Sequence, residues 1–514
     1  MQRFFWGALP ALGMAMGFPP LSLWPLCWIS FVWLGFEWLR CERPHQGAWL
    51  LGGYTFFVNV FGFYWLIFTL KEFGGMPWIL AGVVFLLGSA LLSLPAAAVG
   101  AVFVRLHNQV RSRFQRTRLS LWMGACLGVS FLLLDLFEPR LFAWSAVHGA
   151  GANRELLASV GLVSLWGWRL VFFGSVALAA GFWVWGSRWR FVWTAAIFLI
   201  PHGVLYTAGR YQILKLKEQF PELQPVALLQ GNVGNYEKKL TKQGVMPTVR
   251  NVMDIHQTMV ESVAIAMSRE KTPLEPWVAW PETSFPGFPL TDFSLRQELE
   301  SMLRLTGGVH LVGAYEMARA PFAGSEKELD FNIVAFLHET EPRRIDHYRK
   351  RIRLPFGEYI PFDEQFPFLY EWLPAVNHFG AGERFHGLAH PNPEGPVFVP
   401  LVCYEILSRS FVRSFVRHLK AEYPDRPLVL VNPTNDSWYG PTAEPFQHSL
   451  IARWMVAELG LPTLRPTNTG LSQVIAPWGE VVATTHRDET RVVYGLLPVR
   501  RAMLRTGCEV SGCP

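Results

Sequence analysis

Seven apolar stretches, each near the length a bilayer demands of a helix, crowd the first two fifths of the 514-residue chain. They run over residues 4–20, 22–39, 47–70, 77–104, 119–137, 168–187 and 190–209. A hydrocarbon core of about 30 Å needs about 20 apolar residues in helical form, because no water is there to satisfy backbone N–H and C=O groups. The pattern therefore predicts a multi-pass α-helical membrane domain over residues 1–212. Only Pro19 and Pro20 separate the first two stretches, which fits a tight hairpin. A cleaved signal peptide is the rival reading of the first stretch, but the polar, small-residue cleavage region it requires is absent.

Lys and Arg in the short connecting loops set the orientation. With a cytoplasmic N-terminus, Arg3, Arg40, Arg43, Arg105, Arg111, Arg113, Arg116, Arg118, Arg188 and Arg190 lie inside. Only Lys71, Arg140 and Arg154 lie outside. Ten against three is a decisive bias, and seven spans then deliver everything after residue 210 to the outer face. Asp135 and Arg169 are the main intramembrane charges, each expected near a helix end or paired inside the bundle.

From about Pro225 the pattern changes to short β-rich runs alternating with helical stretches, which predicts an α/β domain over residues 222–498. Strands are expected at 225–232, 277–283, 310–316, 331–337, 397–405, 427–436 and 491–497, and helices at 245–269, 292–305, 407–419 and 443–459. Residues 499–514 form a short C-terminal tail that cannot span a bilayer.

The six cysteines, Cys27, Cys41, Cys126, Cys403, Cys508 and Cys513, show no spacing of a disulfide framework or zinc site within the folded portion. Cys508 and Cys513 are close enough in sequence to pair in an oxidising compartment, although a frayed tail is the simpler expectation. The net charge of +6 is as well explained by charge asymmetry across a bilayer as by an anionic partner, so nucleic acid is not implied.

Three segments put a reactive side chain at or near the end of an apolar run, where a loop can present it to a cleft. They are VAWPETSFPG with Glu282, HYRKRIRLPFGEYIPF with Lys350 and Glu358, and PLVCYE with Cys403. Taken singly, none persuades: a cysteine at a strand end is more often inert packing, and a lysine in a basic run is usually a solvated charge. Together they make an acyl-transfer kit. A carboxylate accepts the thiol proton, cysteine is the best ready nucleophile near neutral pH, and an ammonium stabilises the oxyanion and favours the thiolate.

The order of Glu, Lys and Cys within WPET, YRK followed by PFGEY, and CYE resembles the nitrilase, or carbon-nitrogen hydrolase, superfamily. QGN at 230–232, NPTNDSWYG at 432–440 and RPTNTGLS at 465–472 look like landmarks of one membrane branch, apolipoprotein N-acyltransferase. The resemblance implies a multi-pass helical membrane domain plus an α/β nitrilase-like domain built as an αββα sandwich. It implies Glu282 as general base, Lys350 as oxyanion stabiliser and Cys403 as nucleophile, with Glu358, Tyr404 and Glu405 supporting them. Trp438 matches an aromatic that contacts lipid, and Tyr236 stands where the family usually has a tryptophan after QGN.

The same resemblance implies a ping-pong reaction. Cys403 takes an acyl group from a membrane phospholipid, and the α-amine of a diacylglyceryl-cysteine at an apolipoprotein N-terminus then takes it from sulfur. No cofactor, metal or nucleic acid is implied. A monomer in the bacterial inner membrane, with its catalytic domain periplasmic, is the expected state. The family usually ends in a further membrane helix, which the segment after Leu497 does not supply.

The alternatives are a membrane-tethered nitrilase-type amidase, with water as acceptor, and a transporter or scaffold carrying a degenerate domain. Seven spans exceed what a tether needs, and an intact Glu, Lys and Cys argues against degeneracy. Aromatic loops at 285–290 and 362–379 read equally as lids that dip into lipid or as packing on the domain. His378, His386 and His390 read as solvated loop histidines. No G-x-S-x-G elbow, Walker loop or complete G-x-G-x-x-G is present.

Overall fold

The structure, a computed structural model, describes residues 2–111, 116–137, 144–185, 189–234, 238, 240–241, 244–269, 275–319, 328–355, 357–363, 365–366, 368–372 and 378–500. It packs as two units, one comprising Met1–Lys71, Met76–Leu214 and Pro441–Glu458, the other Glu72–Gly75, Lys215–Gly440 and Leu459–Pro514.

The helices of the first half are α1 (Gln2–Trp6), α2 (Ala8–Gly17), α3 (Pro25–Leu39), α4 (Pro44–Gly62), α5 (Leu66–Gly74), α6 (Trp78–Leu92), α7 (Leu94–Arg111), α8 (Arg116–Phe137), α9 (Ala146–Ala150), α10 (Arg154–Ala158), α11 (Val160–Trp185) and α12 (Arg190–Gln219). Each of the seven expected stretches holds a helix or a helix pair. By length and hydropathy, Trp78–Gln109, Val160–Trp183 and Phe191–Gln219 are sufficient to cross a membrane. Pro44–Gly62 with Leu66–Glu72, bent by 60°, makes a fourth if the pair is one span, whereas Pro25–Leu39 and Gly124–Phe137 are shorter apolar helices. Helix α11 begins at Val160, eight residues before the expected 168, and Ser164 (φ 60°, ψ 166°) interrupts its regularity. Arg113, Arg140 and Arg188 of the orientation argument lie outside the described residues.

This helical unit is apolar inside and out. Trp28, Phe31, Trp38, Phe131, Phe172 and Phe173 pack its centre, with Trp28 and Phe172 ring centroids 4.6 Å apart and Phe31 and Phe131 5.1 Å apart. Leu87, Leu91, Phe191, Leu199 and Ile200 face outward, as a lipid-facing surface requires. Helices α4 and α7 cross closely: a Cβ on Gly47 would lie 2.3 Å from the Gly100 carbonyl oxygen, and one on Gly100 equally close to that of Gly47. Small residues that let backbones approach are how apolar helices gain contact where no hydrophobic force distinguishes lipid from protein. The two intramembrane charges are paired, Arg169 Nε donating to Asp135 Oδ2 at 2.7 Å while Ser145 Oγ and Ala146 N donate to the same carboxylate.

The second half comprises β1 (Glu222–Gln230), α13 (Met246–Ser268), β2 (Trp277–Ala279), α14 (Phe293–Thr306), β3 (Val309–Arg319), β4 (Glu328–His338), β5 (Asp346–Arg349), α15 (Leu369–Trp372), β6 (Leu388–Ala389), β7 (Val397–Pro400), α16 (Arg409–Glu422), β8 (Leu428–Val431), α17 (Glu444–Leu459), β9 (Thr463–Arg465), β10 (Gln473–Ile475), β11 (Val481–Thr484) and β12 (Arg491–Val499). Two six-stranded sheets run in the orders β12-β1-β2-β3-β4-β5 and β11-β10-β9-β8-β7-β6. Each is parallel at its centre, β1-β2-β3 and β7-β8-β9, and antiparallel toward its edges.

Helices α13 and α14 cover the first sheet, burying Met253, Val260, Leu299 and Leu303 against Ala227, Val278, Val312 and Ile333. Helix α16 buries Val412, Phe415, Val416 and Leu419, the i, i+3, i+4, i+7 stripe of a surface helix. The sheets meet through Phe398, whose ring lies 5.1 Å from Trp277 and 5.9 Å from Phe336. These are the layers of the expected sandwich. Helix α17, read from the sequence as part of the α/β stretch, instead packs within the helical unit. There Trp454 Nε1 donates to the His148 carbonyl at 3.2 Å and Gln447 Nε2 to that of Gly62 at 3.0 Å.

Three expected strands stop early. Those drawn at 277–283, 397–405 and 427–436 end at Ala279, Pro400 and Val431. The following residues are buried yet irregular, their backbone groups satisfied by neighbouring loops, and burial alone makes such a loop look like strand. Strands β5, β6, β9, β10 and β11 were not expected; none exceeds four residues, too short for an alternation to register.

Candidate active site

Glu282 and Lys350 follow β2 and β5, which run in the same sense in the first sheet, and Cys403 follows β7 of the second sheet, where the neighbouring Glu405 bonds the residues after Lys350. After β2 the chain turns through Pro281 and Glu282, and Ser284 N and Phe285 N both donate to the Gly313 carbonyl on β3, at 3.0 and 3.1 Å. Gly313 permits that approach, since a Cβ there would sit 2.0 Å from the Pro281 carbonyl oxygen and 2.8 Å from Glu282 Cα. Thr283 is held at φ +46° and Cys403 at φ +50°, a left-handed region costly for any residue with a Cβ. The surroundings hold the cysteine turn in place: Cys403 N donates to the Pro433 carbonyl at 2.8 Å, and Asn432 Nδ2 to the carbonyls of Leu401 and Cys403 at 2.5 and 3.1 Å.

Lys350 Nζ donates to Glu282 Oε1 at 3.1 Å and to Glu358 Oε1 at 2.8 Å. Asn332 Nδ2 donates to the same two oxygens, at 2.6 and 3.4 Å. Glu358 Oε2 accepts from Leu354 N at 2.8 Å. One oxygen of Glu282 is thus saturated by a cation and an amide, while its other oxygen, Oε2, is buried without a hydrogen-bond partner among the described residues. Glu282, Lys350 and Cys403 are each at most 4% exposed.

Electrostatics follow from that burial. Desolvation pushes the Cys403 thiol well above its ordinary range; the Glu282 carboxylate pushes it further and Lys350 opposes. Burial alone would lower Lys350, but Glu282 and Glu358 outweigh it and hold the ammonium protonated well above its usual range. Cys403 is therefore a thiol at rest, with the fixed cation of Lys350 at hand. Such a set of side chains can supply a nucleophile that loses its proton only as it attacks, a carboxyl oxygen to receive that proton and a donor for developing negative charge.

Glu405 ties the two halves of the site together. Its carboxylate accepts from Arg351 N at 2.7 Å and Ile352 N at 3.0 Å, directly after Lys350, from Val402 N at 2.8 Å, directly before Cys403, and from Tyr348 Oη at 2.9 Å. Arg349 clamps the end of β5 to β3 through both oxygens of Glu316, at 2.7 and 2.5 Å. Tyr404 is half-buried, its hydroxyl raised by burial and by Tyr359. Trp438 is half-buried in a short turn, Asp436–Tyr439, and Tyr236 lies outside the described residues.

The landmark segments prove to be a polar scaffold. Gln230 Oε1 accepts from Thr467 Oγ1, Ser472 Oγ and Thr485 Oγ1 at 3.3, 2.7 and 2.7 Å, and Asn468 Oδ1 accepts from Val233 N at 3.1 Å. Asn332 and Lys238 were missed from sequence. Asn332 had a signal, a lone amide in an apolar strand, whereas Lys238 in a Lys-Lys pair reads as solvated charge. The two aromatic loops differ: Phe285 of the first is buried in the core, whereas Phe362, Phe366 and Phe368 of the second are exposed.

His390 is not a solvated loop residue. It is 3% exposed and, with His338, donates to Glu275 at the opposite end of the strands, the Nε2 atoms lying 3.1 and 2.6 Å from Oε1. His386 bonds Asp346 at 2.8 Å, and His378 is exposed and stacks on Tyr370. The ligand atoms of Glu275, His338 and His390 lie within 4.8 Å of one another, close enough for a cation. Their surroundings oppose one. Each Nδ1 accepts a backbone N–H at 3.1 Å, from Thr340 and Asn392, which places the ring proton on Nε2, where a metal would need a lone pair. The trio is a hydrogen-bonded clasp between β4 and β6, with Glu275, two residues before β2, at its centre.

The carbon-nitrogen hydrolase family model matches residues 226–503. The chain belongs to the carbon-nitrogen hydrolase family. The family model for the apolipoprotein N-acyltransferase N-terminal domain matches residues 11–147 as well, so both parts of the carbon-nitrogen hydrolase's membrane branch are present. Curated relatives named apolipoprotein N-acyltransferase span nearly the whole chain. One from Bdellovibrio bacteriovorus is 28% identical over 93% of this chain and 85% of its own, and one from Vibrio cholerae is 28% identical over 93% and 88%. Among solved structures, an amidase from Nesterenkonia sp. AN1 aligns over 55% of this chain and 96% of its own, at 15% identity and a TM-score of 0.35. This carbon-nitrogen hydrolase is an acyltransferase with apolar membrane helices.

Proposed function

We propose that the protein moves a fatty acyl group from a membrane phospholipid to the α-amine of the N-terminal diacylglyceryl-cysteine of apolipoproteins, through a thioester on Cys403. The observation that carries this reading is the open, buried Oε2 of Glu282, whose other oxygen is held by Lys350 and Asn332. As Cys403 Sγ attacks the ester carbonyl, Glu282 takes the thiol proton and Lys350 stabilises the oxyanion. Collapse breaks the ester C–O bond, and Glu282 returns the proton to the departing lysophospholipid oxygen. The amine of the second substrate then attacks the thioester, passes a proton through Glu282 to the leaving sulfur, and the thiol is restored.

Glu358 and Glu405 hold Lys350 and Cys403 in register, and the exposed Phe362, Phe366 and Phe368 suit a site that handles acyl chains. Trp438 and Tyr236 are proposed to contact lipid. Membrane helices suit substrates anchored in lipid, and the loop charges favour an inner-membrane protein with a periplasmic catalytic domain. The proposed partition is residues 1–212 membrane domain, 222–498 catalytic domain and 499–514 tail.

Intact mass of the protein incubated with phosphatidylethanolamine of known chains tests the reading. An acyl-sized, hydroxylamine-labile increment that Cys403→Ala abolishes, followed by its transfer to a diacylglyceryl-cysteine peptide, is the expected result. An unmodified protein that hydrolyses small amides would overturn it in favour of an amidase.

A further inference from the structure

Lys238 is buried in the site and has no part in the cycle above. It lies between β1 and α13, is 5% exposed, and its Nζ donates to the main-chain carbonyl of Glu282 at 2.7 Å and to Thr283 Oγ1 at 3.2 Å. Lysine is among the residues least often buried, because removing an ammonium from water is costly unless the charge is compensated. Here both hydrogen-bond acceptors are neutral. Compensation comes through space, from the carboxylate of Glu282 and, once it is ionised, from Cys403.

The two acceptors flank a strained link. Thr283 stands at φ +46°, an outlier for a β-branched residue, immediately after the proposed base. An ammonium bonded to the carbonyl before that link and to the hydroxyl after it holds the strained turn from both sides. Burial lowers Lys238 to about 7 against the pull of Glu282 and Cys403, so its charge responds to these two groups. His256 on α13 also senses it but, lowered by burial to about 4, stays neutral and does not compete.

We propose that Lys238 is a positioning residue for the proposed base: it pins the Glu282–Thr283 turn from both sides. The site then holds two lysines with separate tasks. Lys350 faces the carboxylates and the developing oxyanion, while Lys238 fixes the backbone that carries the base. This inference rests on the acyl-transfer reading for its purpose, but not for its test.

The test compares wild type with Lys238→Met, Lys238→Arg and Thr283→Val in the full-length protein. The first readout is the pH dependence of Cys403 alkylation by iodoacetamide, located by peptide mass, and the second is acyl-enzyme formation from phosphatidylethanolamine. The raised thiol ionises at a pH where Lys238, lowered to about 7, is already neutral, so Lys238→Met is expected to leave the alkylation midpoint at its wild-type value. It is expected to slow acylation at pH 7 roughly tenfold or more, because the base is no longer held in position. Lys238→Arg, which keeps donors for both acceptors, should lose less than Lys238→Met, and Thr283→Val, which loses one anchor, should slow acylation without moving the midpoint.

Wild-type acylation in Lys238→Met or in Thr283→Val overturns the pinning role, and so does a midpoint that moves in Lys238→Met but not in Lys238→Arg, which would make the charge and not the anchor the contribution of Lys238. Should wild type be alkylated normally yet form no acyl-enzyme, the acyl-transfer reading falls, while the rate of small-amide hydrolysis in the same variants still decides whether Lys238 positions the base.

Discussion

Glu282 gives one carboxylate oxygen to Lys350 at 3.1 Å and keeps the other buried with no hydrogen-bond partner among the described residues. In the proposed reaction this asymmetry divides the labour of a single carboxylate, the bonded oxygen fixing the group and the open one receiving a proton. Glu282→Gln retains the shape and the bond to Lys350 but cannot accept that proton. Acyl-enzyme formation is expected to fall roughly 10²- to 10⁴-fold, the usual contribution of a positioned base. The thermal midpoint should change little, since Lys350 keeps Glu358. Single-turnover mass spectrometry beside a thermal scan checks both, and undiminished acylation would remove Glu282 from the role of base.

Gly313 sets how close the Glu282 turn comes to β3. In Gly313→Ala the new methyl would meet the Pro281 carbonyl oxygen at 2.0 Å, which backbone cannot yield without moving Glu282. A destabilisation of about 1–3 kcal/mol is expected from overpacking. The loss of acylation should exceed what that destabilisation explains, because a displacement of the base costs rate directly. Acylation measured well below the unfolding temperature separates the two effects.

The clasp at the far end of the sandwich makes stability depend on acid. Burial would raise Glu275, but the hydrogen bonds from His338 and His390 outweigh it and hold the carboxyl down to about 2, from an ordinary 4.5. A depressed acid stabilises the fold fully above its unfolded value, and that stability is lost as pH falls from about 4.5 toward about 2. The size is of order 3 kcal/mol at most. Thermal midpoints recorded across that window should fall less steeply in Glu275→Gln than in wild type, and parallel curves would show that the clasp contributes nothing.

Asp135 and Arg169 form a pair whose side chains are 3% and 12% exposed. Removing one member leaves a buried charge without its counter-ion, so Asp135→Leu or Arg169→Leu should each destabilise the helical unit by about 3–5 kcal/mol. The double Leu variant should recover much of that loss. Thermal unfolding in detergent checks it, and additive losses in the double variant would show that the two charges act separately.

The sequence by itself determined the change from apolar helices to α/β structure, most of the longer helices and the motif residues of the candidate site, but neither Asn332 nor Lys238. Long apolar runs admit few folds, amphipathic periods as in α16 repeat over many residues, and Glu282, Lys350, Glu358, Cys403 and Glu405 stand in distinctive short motifs. The tertiary structure decided what depends on residues far apart in the chain. Strands of two to four residues, such as β6 and β9, carry no legible period and exist because longer neighbours pair with them. The buried loops after β2, β7 and β8 look like strand because burial, not conformation, selects apolar residues there. His390 looks like a loop histidine until β4 and β6 bring it to His338 and Glu275. The bond of Lys238 to Glu282, across 44 residues, leaves no trace in local composition, because hydrogen bonds and charge act through space while sequence patterns record only neighbours along the chain.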